Sequence, residues 1–213
     1  MDQLIQNAVA YVEGFFARDC SGHDAEHTLR VWRLARAIAG TEVADARVVE
    51  LAALLHDVDD RKISPDTWAE KANAVAFMKA NGSGEDIIRH VVEIIGAMSF
   101  AGDGASVPPT PEGKIVQDAD RLDAMGAIGI ARTFAFGGSR GRKIYDPAQQ
   151  PDMHMSREEY AKSESTSINH FFEKLLRLRD LMNTNEGRRL AEERHRFMET
   201  YLDEFFAEWS GLR

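Results

Sequence analysis

His56 and Asp57 stand side by side in ALLHDVDDRK, residues 53–62, with Asp59 and Asp60 close behind. They end the run VVELAALL, which is apolar nearly all round after Glu50 and reads as a helix buried on most sides. An unpaired carboxylate there costs on the order of several kcal/mol, so Asp57 calls for a basic side chain or a metal ion beside it. The plainer alternative is a C-terminal histidine favoured by the helix dipole, followed by solvated aspartates. The dipole argues against it, because negative charge is disfavoured at a helix C-terminus.

Two further segments supply groups of the same kind. A helical residue turns about 100° from the last, which puts His27 on one face with Val31, Leu34 and Ile38. His23 lies one turn before it, with Asp24 and Glu26 between. A hydrogen-bonded core histidine is the bland reading of such a stripe. In QDADRLDAMGAIGIARTF, Asp120 shares a face with Val116, Ala124, Ala127 and Ala131. Asp118 then points about 160° away and is expected in solvent, and Asp123 sits about 60° from Asp120. Two imidazoles (His27, His56) and two carboxylates (Asp57, Asp120) make a mixed nitrogen and oxygen donor set. Lacking a thiolate, it suits Mn²⁺, Mg²⁺, Fe²⁺, Co²⁺ or Ni²⁺ better than a structural zinc site.

The elements that must position these residues read as helices throughout. Helical spacing predicts helices over 2–18, 24–39 (stopped by Gly40) and 43–57. Ser64-Pro65 reads as a cap and first-turn proline opening a helix over 65–80, which Asn81-Gly82 ends. A fifth helix covers 84–98 and a sixth 113–135; two more, near 157–183 and 186–209, close the chain. The stretches 99–113 and 137–155 are rich in glycine and proline and read as loops long enough to act as lids. No alternating strand pattern, repeat or low-complexity tract interrupts this, so an all-α bundle is expected.

With 44% hydrophobic and 29% charged residues, the chain has apolar material for a sizeable core. Its net charge of -9 argues against wrapping of nucleic acid or binding to an anionic membrane by overall attraction. Anionic substrates stay open, since a divalent cation reverses the local field. The single cysteine, Cys20, cannot form an internal disulfide and reads as inert. No signal peptide and no run near the ~18 residues of a membrane span is legible, so a cytoplasmic location is expected.

In order, His27 in HDAEHTLRV, His56-Asp57 in LLHDVDD and Asp120 in DADRLDAMGAIGIAR resemble the signature of the HD-domain phosphohydrolase superfamily. ARTFAFGG (131–138) and NHFFEKLLRLRDLMNT (169–184) extend the likeness to a branch of small bacterial HD hydrolases, over most of the chain beyond residue 20. The resemblance implies one HD-type domain over residues 1–213, with a core of about 20–136 and C-terminal helices of about 157–209. It also implies that His27, His56, Asp57 and Asp120 ligate a divalent ion, with Mn²⁺ or Mg²⁺ favoured. Members with two metals carry more histidines between the doublet and the last aspartate. Here only His90 lies there, which favours one catalytic metal.

The implied activity is hydrolysis of a small phosphorylated substrate, a nucleotide first of all, by metal-assisted in-line attack of water. Asp60 is the candidate to orient or deprotonate that water, and His23 is a proton donor or a support for His27. Lys62, then Arg30, Arg132 and Lys174, are candidates for the phosphates, and the loop GGSRGRK (137–143) is a candidate cover. His170 falls in the resembling segment with no role of its own. Nucleoside triphosphates cleaved to monophosphate and pyrophosphate are the expected substrates. A 5′-nucleotidase on monophosphates is the close alternative, and a nucleotide-sensing module without turnover is the reading from another class. Nucleic acid and membrane are not expected as partners, and the chain is expected as a monomer or homodimer.

Overall fold

The computed structural model describes residues 2–17, 24–61, 63–98, 107–155 and 164–213. Among them every regular element is a helix, as the periodicity predicts: α1 (Gln3–Phe15), α2 (Ala25–Ala39), α3 (Ala46–Leu55), α4 (Ala72–Ala80), α5 (Glu85–Ala97), α6 (Pro111–Asp123), α7 (Gly126–Ser139), α8 (Ser167–Glu173), a 3-10 helix (Leu175–Leu181) and α9 (Asn185–Trp209). None of them is long and apolar enough to cross a membrane. The chain divides into two compact units, Met1–Asp120 and Arg121–Arg213.

In the first unit α3 is the central element, packed on α1, α2 and α5. Its Val48, Val49 and Leu51 through Leu55 are all buried, which is why no polar face is legible after Glu50. Burial of each valine and leucine among them stabilises the fold by about 1.5–3 kcal/mol. The start of α3 is fixed by Asp45, whose carboxylate accepts the amides of Arg47 and Val48. Glu112 of α6 in turn accepts the amide of Asp45 at 2.8 Å. In α2 the Asp24 carboxylate accepts the His27 amide at 2.8 Å, so the helix begins where His27 falls in its first turn.

Sequence-based boundaries are corrected in several places. The helix expected from Pro65 begins only at Ala72, and residues 64–71 form successive turns. The reason is a cap from outside the segment: the Asp59 carboxylate accepts the amides of Asn73 and Ala74 at 3.2 and 2.9 Å. Ser64 spends its hydroxyl on the Val58 carbonyl rather than on a helix start.

The helix expected over 113–135 is two helices. Gly126 turns the chain at φ 69°, a conformation that favours glycine, and a Cβ there would press on Arg194. Gly129 lets α7 begin directly against the Ala124 carbonyl, which a Cβ would meet at 2.2 Å. The continuous face from Asp120 to Ala127 and Ala131 therefore does not exist, and both alanines are exposed on α7. Finally, α7 runs on to Ser139. Within the helix expected over 157–183 the described residues, from 164 on, hold the short α8 followed by a 3-10 segment, while 157–163 lie outside the described residues.

In the second unit α7 and the 3-10 helix pack on α9, and α8 packs on α7 and the 3-10 helix.

Candidate metal centre

His27 and His56 reach one spot from two helices of the first unit. α2 delivers His27 in its capped first turn, and α3 delivers His56 at its C-cap. The rings meet edge to face with centroids 5.4 Å apart. His56 Nδ1 lies 2.8 Å from the Ala53 carbonyl. A carbonyl can only accept, so Nδ1 carries a hydrogen, and in the neutral ring Nε2 presents its lone pair inward.

The carboxylates complete the set. Asp57 Oδ2 lies 3.4 Å from His27 Nε2 and 3.4 Å from His56 Nε2. Asp120 Oδ1, from α6, lies 3.5 Å and 4.0 Å from the same two nitrogens. These separations exceed a good N–H···O hydrogen bond. They are close to the spacing of neighbouring ligands around one ion, about 3.0 to 3.4 Å for bond lengths of about 2.1 Å.

His56 Nε2 is buried with no hydrogen-bond partner, a cost that a metal ion removes. Burial opposes a charge on His56, but Asp57 and Asp120 outweigh it and raise its pKa to about 9. The cluster thus calls for positive charge at its centre. A divalent cation fits the donors present: His27, His56 and Asp57 are buried and mutually within 4.8 Å, with Asp120 adjoining both imidazoles. Asp120, at 36% side-chain exposure against 3% for His27, is the member through which solvent reaches the cluster.

The other candidate residues fall differently. Asp60 is half-buried in the turn after the doublet, its amide bonded to the Asp57 carbonyl. Arg30 is half-buried on α2, one turn past His27. Arg132 and Lys174 belong to the second unit. There Arg132 is ion-paired with buried Asp123 at 2.5 Å, and Lys174 ends α8 one turn after His170. His23 and Lys62 lie outside the described residues, as does Cys20. His90 faces Glu112 at 3.6 Å.

Two carboxylates differ from the reading of the sequence. Asp118, expected in solvent, is fully buried. Asp59, to which the sequence assigns no role, is also fully buried and caps α4. Its hint was the doublet Asp59-Asp60 itself: two carboxylates in one turn rarely share one environment.

Residues 24–125 match the family model described as HD domain. YpgQ of Bacillus subtilis is 41% identical over 208 residues, covering 95% of this chain and 92% of that protein. A crystal structure of a Lactobacillus plantarum protein superposes with TM-score 0.84 at 40% identity, covering 99% of both chains. An HD-superfamily hydrolase from Bacillus thuringiensis gives 0.77 at 40% identity over 97% of this chain and 96% of its own. The crystal structure of YpgQ in complex with ADP gives 0.77 at 38% identity over 98% of this chain and 100% of its own.

Proposed function

Since the chain belongs to the HD-domain family of hydrolases, we propose that it is a metal-dependent phosphohydrolase that cleaves nucleoside triphosphates to monophosphate and pyrophosphate. One observation carries the metal-dependent part: carboxylate oxygens of Asp57 and Asp120 lie 3.4 and 4.0 Å from a His56 nitrogen otherwise left unpaired, and 3.4 and 3.5 Å from the His27 nitrogen beside it. The nucleotide part is supported by the ADP seen with YpgQ, a relative spanning nearly the whole chain.

His27, His56, Asp57 and Asp120 would hold one divalent ion, Mn²⁺ or Mg²⁺ by the hardness of the two carboxylates. When bound, such an ion acidifies water and draws charge from a phosphoryl oxygen. The chain's own residues do the rest. His56 is locked by Ala53 in the tautomer that keeps Nε2 free of hydrogen. Asp60, tethered through its amide to the Asp57 carbonyl, stands one turn from the doublet and would take the proton of the attacking water on its carboxylate. Asp120 guards the open side, so the phosphoryl group would approach past it.

The test is product identification from a nucleotide panel with Mn²⁺ and with Mg²⁺. Monophosphate with pyrophosphate is the expected pair. Orthophosphate with nucleoside would make the protein a 5′-nucleotidase instead, and no product from any phosphorylated compound would refute the reading.

A further inference from the structure

The turns that follow the metal doublet build something more than a connection. Asp60 donates its amide to Asp57, the Asp60 carbonyl accepts the amides of Ile63 and Ser64, and the Ser64 carbonyl accepts those of Thr67 and Trp68. Side chains fix the same stretch from below. Ser64 Oγ and Asn73 Nδ2 both donate to the Val58 carbonyl, and Asn73 Nδ2 also donates to Thr67 Oγ1 at 3.0 Å. Buried Asp59 anchors α4 behind them.

What this frame presents is an exposed indole with two cations on it. Trp68 is 42% exposed. The Arg61 guanidinium lies 5.6 Å from its ring centroid and the Lys71 ammonium 5.8 Å. Lys71 reaches that place from a left-handed backbone at φ 52°, the one positive φ of a non-glycine among the described residues. Such conformations persist where the surroundings enforce them, and they gather at functional sites. The Lys71 ammonium also donates to the Asp59 carbonyl, at 3.4 Å. Neither cation is paired with a carboxylate among the described residues, in a chain whose net charge is -9. With so many acids available, two cations held together without one are placed for an anion from outside.

Distance along the frame points the same way. A turn keeps its ends within about 7 Å and one further residue adds about 3.8 Å, so the Arg61 backbone lies within about 11 Å of that of Asp57. An arginine side chain and a polyphosphate chain together span that interval.

We propose that Arg61 and Lys71, held on the Trp68 indole, form a receptor for the polyphosphate tail of the substrate, and so select polyphosphates over single phosphate groups. This rests on the phosphohydrolase reading of the adjoining centre. Trp68 is a positioning residue: its ring fixes where the two cations stand.

Binding of inorganic tripolyphosphate and of orthophosphate to the full-length, metal-loaded protein tests the proposal, by calorimetry and by Trp68 emission taken as wild type minus Trp68→Phe. Arg61→Ala is an exposed substitution, and Lys71→Gly relaxes the backbone while removing the charge. Each should weaken tripolyphosphate binding by about tenfold, the loss of one charge-assisted contact, and orthophosphate binding by less than about threefold. Arg61→Lys should restore most of the lost affinity. The Trp68 emission should change on adding tripolyphosphate and stay constant in the double variant. Tripolyphosphate affinity unaltered in the double variant, or lowered equally for orthophosphate, would overturn the proposal. If the wild type hydrolyses no nucleotide yet binds tripolyphosphate through Arg61 and Lys71, the function above fails and the receptor stands. If nucleotides are hydrolysed and neither substitution affects binding, the receptor alone fails.

Discussion

Each unit of the molecule buries carboxylates, and the two units treat them in opposite ways. In the second, Asp123 is 2% exposed at its side chain and meets the Arg132 guanidinium at 2.5 Å. Arg194 is also near: burial lowers its pKa and Asp123 works against that, while its guanidinium donates to the Leu122 carbonyl. That carboxylate has its positive charge supplied by the chain. In the first unit, Asp57 and Asp120 face two imidazoles at 3.4–4.0 Å, and one of those imidazoles has an orphaned nitrogen. A buried carboxylate beside arginines is a structural device, and a buried carboxylate beside an imidazole with an orphaned nitrogen offers a seat for a cation.

Substitution at the two sites should separate them most sharply in activity. Asp57→Ala should lower turnover by a thousandfold or more, equivalent to about 4 kcal/mol in the barrier, and abolish bound metal by elemental analysis. Its helical circular dichroism should be unchanged. An Asp57→Ala protein that keeps its metal would show that the imidazoles and Asp120 suffice, and that the two kinds of cluster are not distinct.

Asp123→Ala should do the reverse. It strands a partly buried guanidinium, so unfolding in urea should show a loss of about 3 kcal/mol, while metal content stays at the wild-type level. A loss under about 1 kcal/mol would mean that solvent already screens Arg132, whose side chain is 30% exposed. Arg132 would then be freer to act as the phosphate contact that the sequence suggests.

The candidate metal ligands were legible because helical spacing puts His27 on the core stripe of α2, and because the ordered quartet resembles a known signature. Spacing has no view of tertiary partners, and the misses follow from that. Asp118 is buried although its face on α6 is opposite to Asp120, since a helix packed on more than one side has no solvent face there. α4 starts late because Asp59 caps it from before the expected start. The corner at Gly126 hides inside an apolar stretch whose period looks unbroken. Asp59 and Asp57 restate the contrast within three residues. Asp59→Ala should cost about 1–2 kcal/mol, the size of a lost helix cap, with metal content retained. Loss of metal as well would mean that the turn frame, and not the ligand set alone, holds the centre together.

The smallest expected effect lies with His170, a titratable group that the second unit keeps neutral. Burial lowers its pKa to about 3, with Lys174 and then Arg142 adding repulsion. The folded state therefore resists a proton that the unfolded chain accepts near pH 6.5. Stability from this group is complete above pH 6.5 and is lost as pH falls toward about 3. The limiting slope is about 1.4 kcal/mol per pH unit. Part of the ring reaches the surface, so a loss of about 1 kcal/mol between pH 7 and 5 is expected. His170→Gln cannot take up the proton, and its urea midpoint should vary less over that range than that of the wild type. Parallel curves for the two proteins would mean that His170 is protonated equally in both states. The second unit would then tolerate an added positive charge beside Lys174 and Arg142, as only a nearby anion would permit.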